Sequence, residues 1–234
     1  MGMADVDFSK SSMRVAFKRG LARQTITQAS DAEAANVFGQ LADLGRNRKS
    51  QDRLADRLQR QAGVVRLARS ETGMVITLRN QRRMITRVDD TDAFAEVTLF
   101  YTRIAVYMTR NTTSFHVSRA SLTSHAIERL VERSAVSLDR PLLEAVDAEA
   151  VTILRLAAKA RLIEDGDDHY ATGLQSGVWA GRVDLSDPEP EWGLSPTVPE
   201  ARLPVFSART FLAPEQMRPT VWLRWRADPS LTLG

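Results

Sequence analysis

Three side chains in TSHAIERLVERSAV, residues 123–136, have the types and spacing to do chemistry together: His125, Arg129 and Arg133 recur at i, i+4 and i+8. At 3.6 residues per turn this lays one imidazole and two guanidinium groups along a slowly drifting helical stripe. Ala126, Ile127, Leu130 and Val131 form the apolar face beside it, which marks the direction of the core. An imidazole, with a pKa of about 6.5 in water, exchanges protons near neutrality. Guanidinium groups stay ionised and match phosphate oxygens in shape. The stripe also has a plainer reading as a charge-laced surface, because Glu128 and Glu132 lie among the arginines and Arg129 faces Glu132 at i, i+3.

Other chemistries are poorly provided for. The chain has no Gly-rich phosphate loop, no GxGxxG, HExxH or GxSxG motif and no EF-hand loop. It has no cysteine, which removes disulfides, thiolate nucleophiles and Cys-ligated zinc together. The three histidines, His116, His125 and His169, follow no metal-ligand spacing. Asp165, Asp167 and Asp168 in EDGDDHY lack the bidentate glutamate of a calcium loop and read as an acidic turn after a helix. The expectation is a site without metal or cofactor.

Charge divides the 234 residues unevenly. Residues 1–110 carry 19 Lys or Arg against 12 Asp or Glu, a net of +7; the remainder carries 13 against 17, a net of −4. All but four of the cations are arginine. An Arg-rich half is compatible with RNA or DNA, although surface arginines alone are weak grounds for it. No apolar run approaches the roughly 18 residues that span a bilayer, and no signal-peptide core follows the N-terminus. A bacterial cytoplasmic protein with no membrane partner is expected.

The elements that must position these groups follow from periodicity. Residues 1–30 show no clear period. Ser30 then heads an amphipathic helix through Val37, Leu41 and Leu44, and RNRKSQDRLADRLQRQ continues as a basic helix ending before Gly63. GVVRLAR, GMVITLR and RRMITRV read as three short strands, with turns at SETG and NQ. AEVTLFYTRIAVYMTR fits a long strand or a buried helix, and its β-branched and aromatic residues favour the strand. Helices are expected from Ser121 to about Ser134 and after Pro141, then β-type runs in HYATGLQSGVWAGRVDL, LPVFSARTFL and PTVWLRWR. A loop rich in proline and acid occupies residues 186–202. The fold class is α+β: basic N-terminal helices plus an antiparallel meander over 1–115, then two or three helices packed on an antiparallel sheet over 116–234.

Within the second half, SHAIERLVERSAV resembles the HAxxRxxxR opening of small bacterial ribonuclease-toxin domains related to BrnT and RelE. FSARTFLAPE resembles the SARxxxxxE stretch of BrnT-type chains through Ser207, Ala208, Arg209 and Glu215. The resemblance covers residues 121–228 and implies two helices followed by antiparallel strands; BrnT-type chains end in a helix, where PTVWLRWR reads as a strand.

What the resemblance implies chemically is metal-independent RNA cleavage, in which the 2′-hydroxyl is the internal nucleophile. The protein then supplies proton transfer and charge stabilisation. His125 would be the acid or base, Arg129 and Arg209 the phosphate clamps, and Tyr170 or His169 a second proton-transfer group. For Arg209 a structural ion pair to Glu215 or Glu128 is the competing role. Trp222 and Trp225, on opposite faces of the expected strand, leave one ring to face the core and one that could stack on a base. The expected partners are RNA or DNA, an antitoxin protein or a second copy of the chain. In the ribonuclease reading Arg133 would be a more distant phosphate clamp. The alternative is a non-catalytic nucleic-acid-binding or phage or plasmid accessory protein, gripping with the basic helix RNRKSQDRLADRLQR and with Arg79, Arg82 and Arg83 at a hairpin tip.

Overall fold

The computed structural model describes residues 4–45, 47–70, 73–88, 91–109, 112–187 and 202–228. Helices α1 (Ala4–Thr27), α2 (Ala34–Ala42) and α3 (Arg48–Gln59) precede β1 (Val64–Ser70), β2 (Gly73–Val88), β3 (Thr91–Met108) and β4 (Thr113–Thr123). β4 runs directly into α4 (Ser124–Arg133), followed by α5 (Leu142–Ala158), β5 (Ile163–Asp165), β6 (Asp168–Thr172), β7 (Val178–Ser186), β8 (Leu203–Leu212) and α6 (Pro219–Arg226). The class is α+β.

The strands form one sheet in the order β1-β2-β3-β4-β8-β7-β6-β5. Two antiparallel meanders meet at β4 and β8, which run parallel through four residue pairs, Arg119–Leu122 against Val205–Ala208. The sheet is therefore not wholly antiparallel as expected, and the boundary expected between residues 115 and 116 falls inside β4.

Period-2 alternation sorts the side chains between two faces. On one face Leu99, Tyr101, Ala120, Leu122, Phe206, Ala208, Phe211 and Trp179 form the main core with Ala22 and Ile26 of α1, Ile127 and Leu130 of α4 and Val146 and Ile153 of α5. Trp179 meets Phe211 edge-to-face at 5.2 Å, a geometry worth about 0.5–1.5 kcal/mol beyond the area buried. On the other face Met74, Ile76, Leu78, Ile104 and Val106 pack under α2 and α3, through Val37, Leu41, Leu54 and Leu58. Towards β6 and β7 that same face is covered by α6, whose Val221 contacts Tyr170 and Val178.

Several local readings are corrected by tertiary contacts. Residues 4–27 form one helix despite the missing period, and Ala22 and Ile26 near its C-terminal end, with Ala29 just beyond it, join the main core. The turn expected at NQ does not exist: β2 is continuous, and the incoming chain docks on it instead. Asn80 Nδ2 donates to Ala32 O at 2.8 Å, Gln81 N to Asp31 Oδ1 at 2.6 Å and Gln81 Nε2 to Ala29 O at 2.7 Å. Gly63 admits this segment, since a Cβ there would lie 2.2 Å from Ala32 N. Ser30 caps no helix; Glu33 holds that position without a side-chain bond, and the Ser30 carbonyl faces Arg79. PTVWLRWR is helix α6, with Pro219 at its first turn, where the missing N–H costs nothing. Trp222 and Trp225 therefore lie on a helix, not on opposite faces of a strand. Most of the proline-rich segment, residues 188–201, lies outside the described residues. No described helix is long and apolar enough to cross a membrane.

Candidate functional site

The junction of β4 with α4 builds one wall of a hollow. Thr123 is the N-cap: its Oγ1 accepts from Ala126 N at 3.0 Å, satisfying one of the helix's orphan donors. Glu96, reaching over from β3, supplies the anion that a helix N-terminus favours. Its Oε1 accepts from Ser124 Oγ at 2.6 Å and from His125 N at 3.2 Å. Because Ala126, Ile127 and Leu130 are buried, the first turn presents His125 outward. Arg129 Nε donates to His125 Nε2 at 3.4 Å, which makes Nε2 the accepting nitrogen and assigns the ring proton to Nδ1.

β8 supplies the second wall. Its ladder with β7 pairs Ala180 with Thr210 and Gly181 with Ala208, so Arg209 is the extra residue of a β-bulge. On its other side the pairing with β4 ends at Ala208, because β4 has already turned into α4. Arg209 is thus the first residue of β8 outside both ladders, and its side chain is exposed. α1 forms the third wall: with Ala22 and Ile26 buried, Arg19 and Arg23 stand one turn apart at its surface.

Between these walls lies an open hollow of about 500 Å³, lined chiefly by Arg19, Arg23, Glu96, His125, Glu128 and Arg209. Three arginines against two glutamates leave one formal positive charge with His125 neutral. The glutamates are committed elsewhere: Glu96 to the α4 N-terminus, and Glu128 to Arg19 Nε at 3.3 Å. Arg23 and Arg209 make no side-chain hydrogen bond or ion pair among the described residues. Two uncommitted guanidinium groups beside an imidazole favour a phosphate or other oxyanion. The competing role for Arg209, an ion pair to Glu128 or Glu215, is not present.

Of the residues singled out in sequence, His125 and Arg209 come together in this hollow. Arg129 sits beside His125 but is held by Glu132. Arg133 is spent on structure, donating to Phe211 O at 2.8 Å and Thr210 Oγ1 at 3.4 Å, which ties α4 to the strand just past the bulge. Burial lowers its pKa, as expected for a guanidinium enclosed against a strand. Tyr170 is 4% exposed, on the opposite face under α6, and its phenol is pushed up by burial; it lines no part of the hollow. His169 is half-buried, and its Nδ1 is buried without a partner.

The expected basic hairpin tip also dissolves. Arg79 is 8% exposed and pairs with Asp147 of α5, Arg82 lies over the Phe100 ring at 3.9 Å, and Arg83 is exposed opposite Val97 on a continuous strand. Sequence reasoning missed Arg19, Arg23 and Glu96. Nothing local marks them, because they reach the hollow only when α1 and β3 pack beside α4.

Fold and site together define an α+β protein with an electropositive hollow where β4 meets α4. No protein-family model, curated protein or solved structure matches the chain.

Proposed function

We propose that this hollow binds a phosphodiester of RNA and cleaves it without a metal ion. One observation carries the reading: His125 and the uncommitted Arg209, from distant elements of the chain, line the same open hollow, with the uncommitted Arg23 beside them. In the proposed step the 2′-oxygen of the ribose attacks phosphorus, and His125 Nε2, exchanging its long bond from Arg129 Nε for the ribose hydroxyl, accepts its proton. The bond from phosphorus to the 5′-oxygen breaks, and that oxygen takes a proton from the water the open mouth admits. The products are a 2′,3′-cyclic phosphate and a 5′-hydroxyl, and the imidazolium returns its proton to solvent. Arg209 and Arg23 offset the charge that builds on the non-bridging oxygens.

The BrnT- and RelE-like resemblance of residues 121–228 implies the same chemistry. A cytoplasmic site of action and a neutralising protein partner belong to the same reading. Incubation of the protein with single-stranded RNA in excess EDTA tests it. Wild type is expected to cleave, with His125→Ala about 10²–10⁴-fold slower and Arg209→Ala about 10²–10³-fold slower. Both side chains are exposed, so both variants should keep the wild-type melting temperature. Cleavage at the wild-type rate by both variants overturns the assignment. RNA binding without cleavage by wild type would make the hollow a phosphate-binding site and not a nuclease.

A further inference from the structure

We infer that the bulge in β8 is a device for presenting Arg209 to a phosphate, and that Gly181 and Arg133 are its positioning residues. The inference rests on the reading of the hollow as a phosphate site, and it concerns how the strand is built to serve that site.

An uninterrupted antiparallel ladder alternates side chains strictly between the two faces. On β8 both Phe206 and Ala208 belong to the main core, so regular alternation would send Thr210 inward after them and Phe211 outward. The extra residue at 209 resets the alternation. Phe211 returns to the core against Trp179, and Arg209 is left without a partner on β7. Bulges bend the strand and re-aim side chains in this way, and they recur beside functional sites.

Two side-chain identities make the bulge possible. Opposite it, the β8 backbone comes so close to β7 that a Cβ on residue 181 would lie 2.0 Å from Ser207 O and 2.8 Å from the Ser207 carbonyl carbon. Only glycine admits that approach, and the obstacle is backbone, which cannot swing aside as a side-chain tip can. On the open side of the strand, Arg133 donates to Phe211 O and Thr210 Oγ1. It thereby satisfies polar groups past the end of the β4 pairing and holds the strand to α4. The result is a cation fixed in backbone register, next to the α4 turn that carries His125. Sequence alone carries a trace of this: a glycine inside the strand pattern VWAGRV marks a close approach or a bulge.

The test uses a short single-stranded 2′-deoxy oligonucleotide, which lacks the internal nucleophile and so binds without being cut. Its affinity is followed by fluorescence anisotropy in EDTA across a range of salt. Arg209→Ala is expected to weaken binding about tenfold or more and to lower the slope of log affinity against log salt by about 0.7, the value for one phosphate contact on a single strand. Gly181→Ala removes no charge, yet it should lower the slope by the same amount. The double variant should bind no more weakly than Arg209→Ala alone. Should Gly181→Ala fail to fold, Arg133→Gln serves instead, compared with Arg209→Ala through the double variant; its lost contacts flank the bulge.

A Gly181→Ala protein with wild-type affinity and slope overturns the inference, as does a double variant weakened by the product of the two single effects. If RNA is not cleaved but the oligonucleotide follows the expected pattern, the positioning role stands and the nuclease reading falls.

Discussion

Removing the Arg79 guanidinium should unfold the protein more readily near neutral pH than in acid, by an amount set by one carboxylate. Asp147 of α5 faces Arg79 of β2 and accepts from Tyr101 Oη of β3 at 2.8 Å. The two charged side chains keep only 10% and 17% of their exposure. Breaking a pair this enclosed costs about 3–5 kcal/mol, because one charge is left buried without its partner. Asp147 retains the Tyr101 bond and some water, so the low end applies, about 3 kcal/mol for Arg79→Ala near pH 7. For a chain of this size that is a fall of about 6–12 °C in Tm. Burial holds the Asp147 carboxyl above the usual carboxylate range, outweighing the opposing charge and bond of Arg79. A raised carboxyl contributes stability below its unfolded value of about 4 and loses that contribution as pH climbs through the folded value. Without Arg79 the folded value climbs further, so the loss near pH 7 deepens. At about pH 4 a protonated Asp147 no longer needs the cation, and the difference from wild type should shrink to roughly 1 kcal/mol, the worth of the remaining hydrogen bond and packing. Urea unfolding followed by tryptophan fluorescence at both pH values measures this. An equal loss at the two pH values, or none at either, refutes the account of the pair.

Two further expectations concern buried polar groups. Glu149 is 1% exposed and gathers Trp179 Nε1 at 3.0 Å, Leu174 N at 2.9 Å and Gln175 N at 3.0 Å. Glu149→Ala leaves the buried Trp179 Nε1 unmet, at about 1–3 kcal/mol, and frees the part-buried amides of Leu174 and Gln175 to water, so a drop in Tm of at least about 2 °C should accompany faster amide exchange at Leu174 and Gln175. Unchanged exchange at both amides would contradict this. Arg119, also 1% exposed, donates to Ser186 O, Asp187 O and Leu203 O, clasping the end of β7 to the start of β8. Arg119→Ala should speed exchange in Leu203–Ser207 and spare β1; equal acceleration in both regions would argue against a local clasp.

Much of this architecture is written in local pattern. The α4 stripe and the helix after Pro141 follow from periodicity and end chemistry, and the strand through LFYTRIAVYM from its β-branched and aromatic residues. The failures share one cause, contacts between residues far apart in sequence. Asn80 and Gln81 look like turn residues, but they spend their amides on the segment entering α2, so β2 continues through them. PTVWLRWR alternates like a strand, yet Val221 and Trp225, one helical turn apart, are the pair that faces the cluster under α6. Arg79 reads as a surface cation until α5 brings a carboxylate to it. The hollow is half legible: His125 and Arg209 carry short motifs, whereas Arg19, Arg23 and Glu96 join it only through the packing of α1 and β3 beside α4.

The parallel seam between β4 and β8 bears on synthesis. β4 is complete at Thr123, but the strand that covers its outer edge begins only at Leu203. A nascent chain therefore emerges from the ribosome with that edge bare until Val205–Ala208 have been made, more than eighty residues after β4 is complete. Unpaired edges invite other chains to pair with them, and contacts of such long sequence separation close slowly. Products that terminate early should consequently aggregate and not persist as a folded half, and the protein places a particular demand on whatever shields it during those seconds.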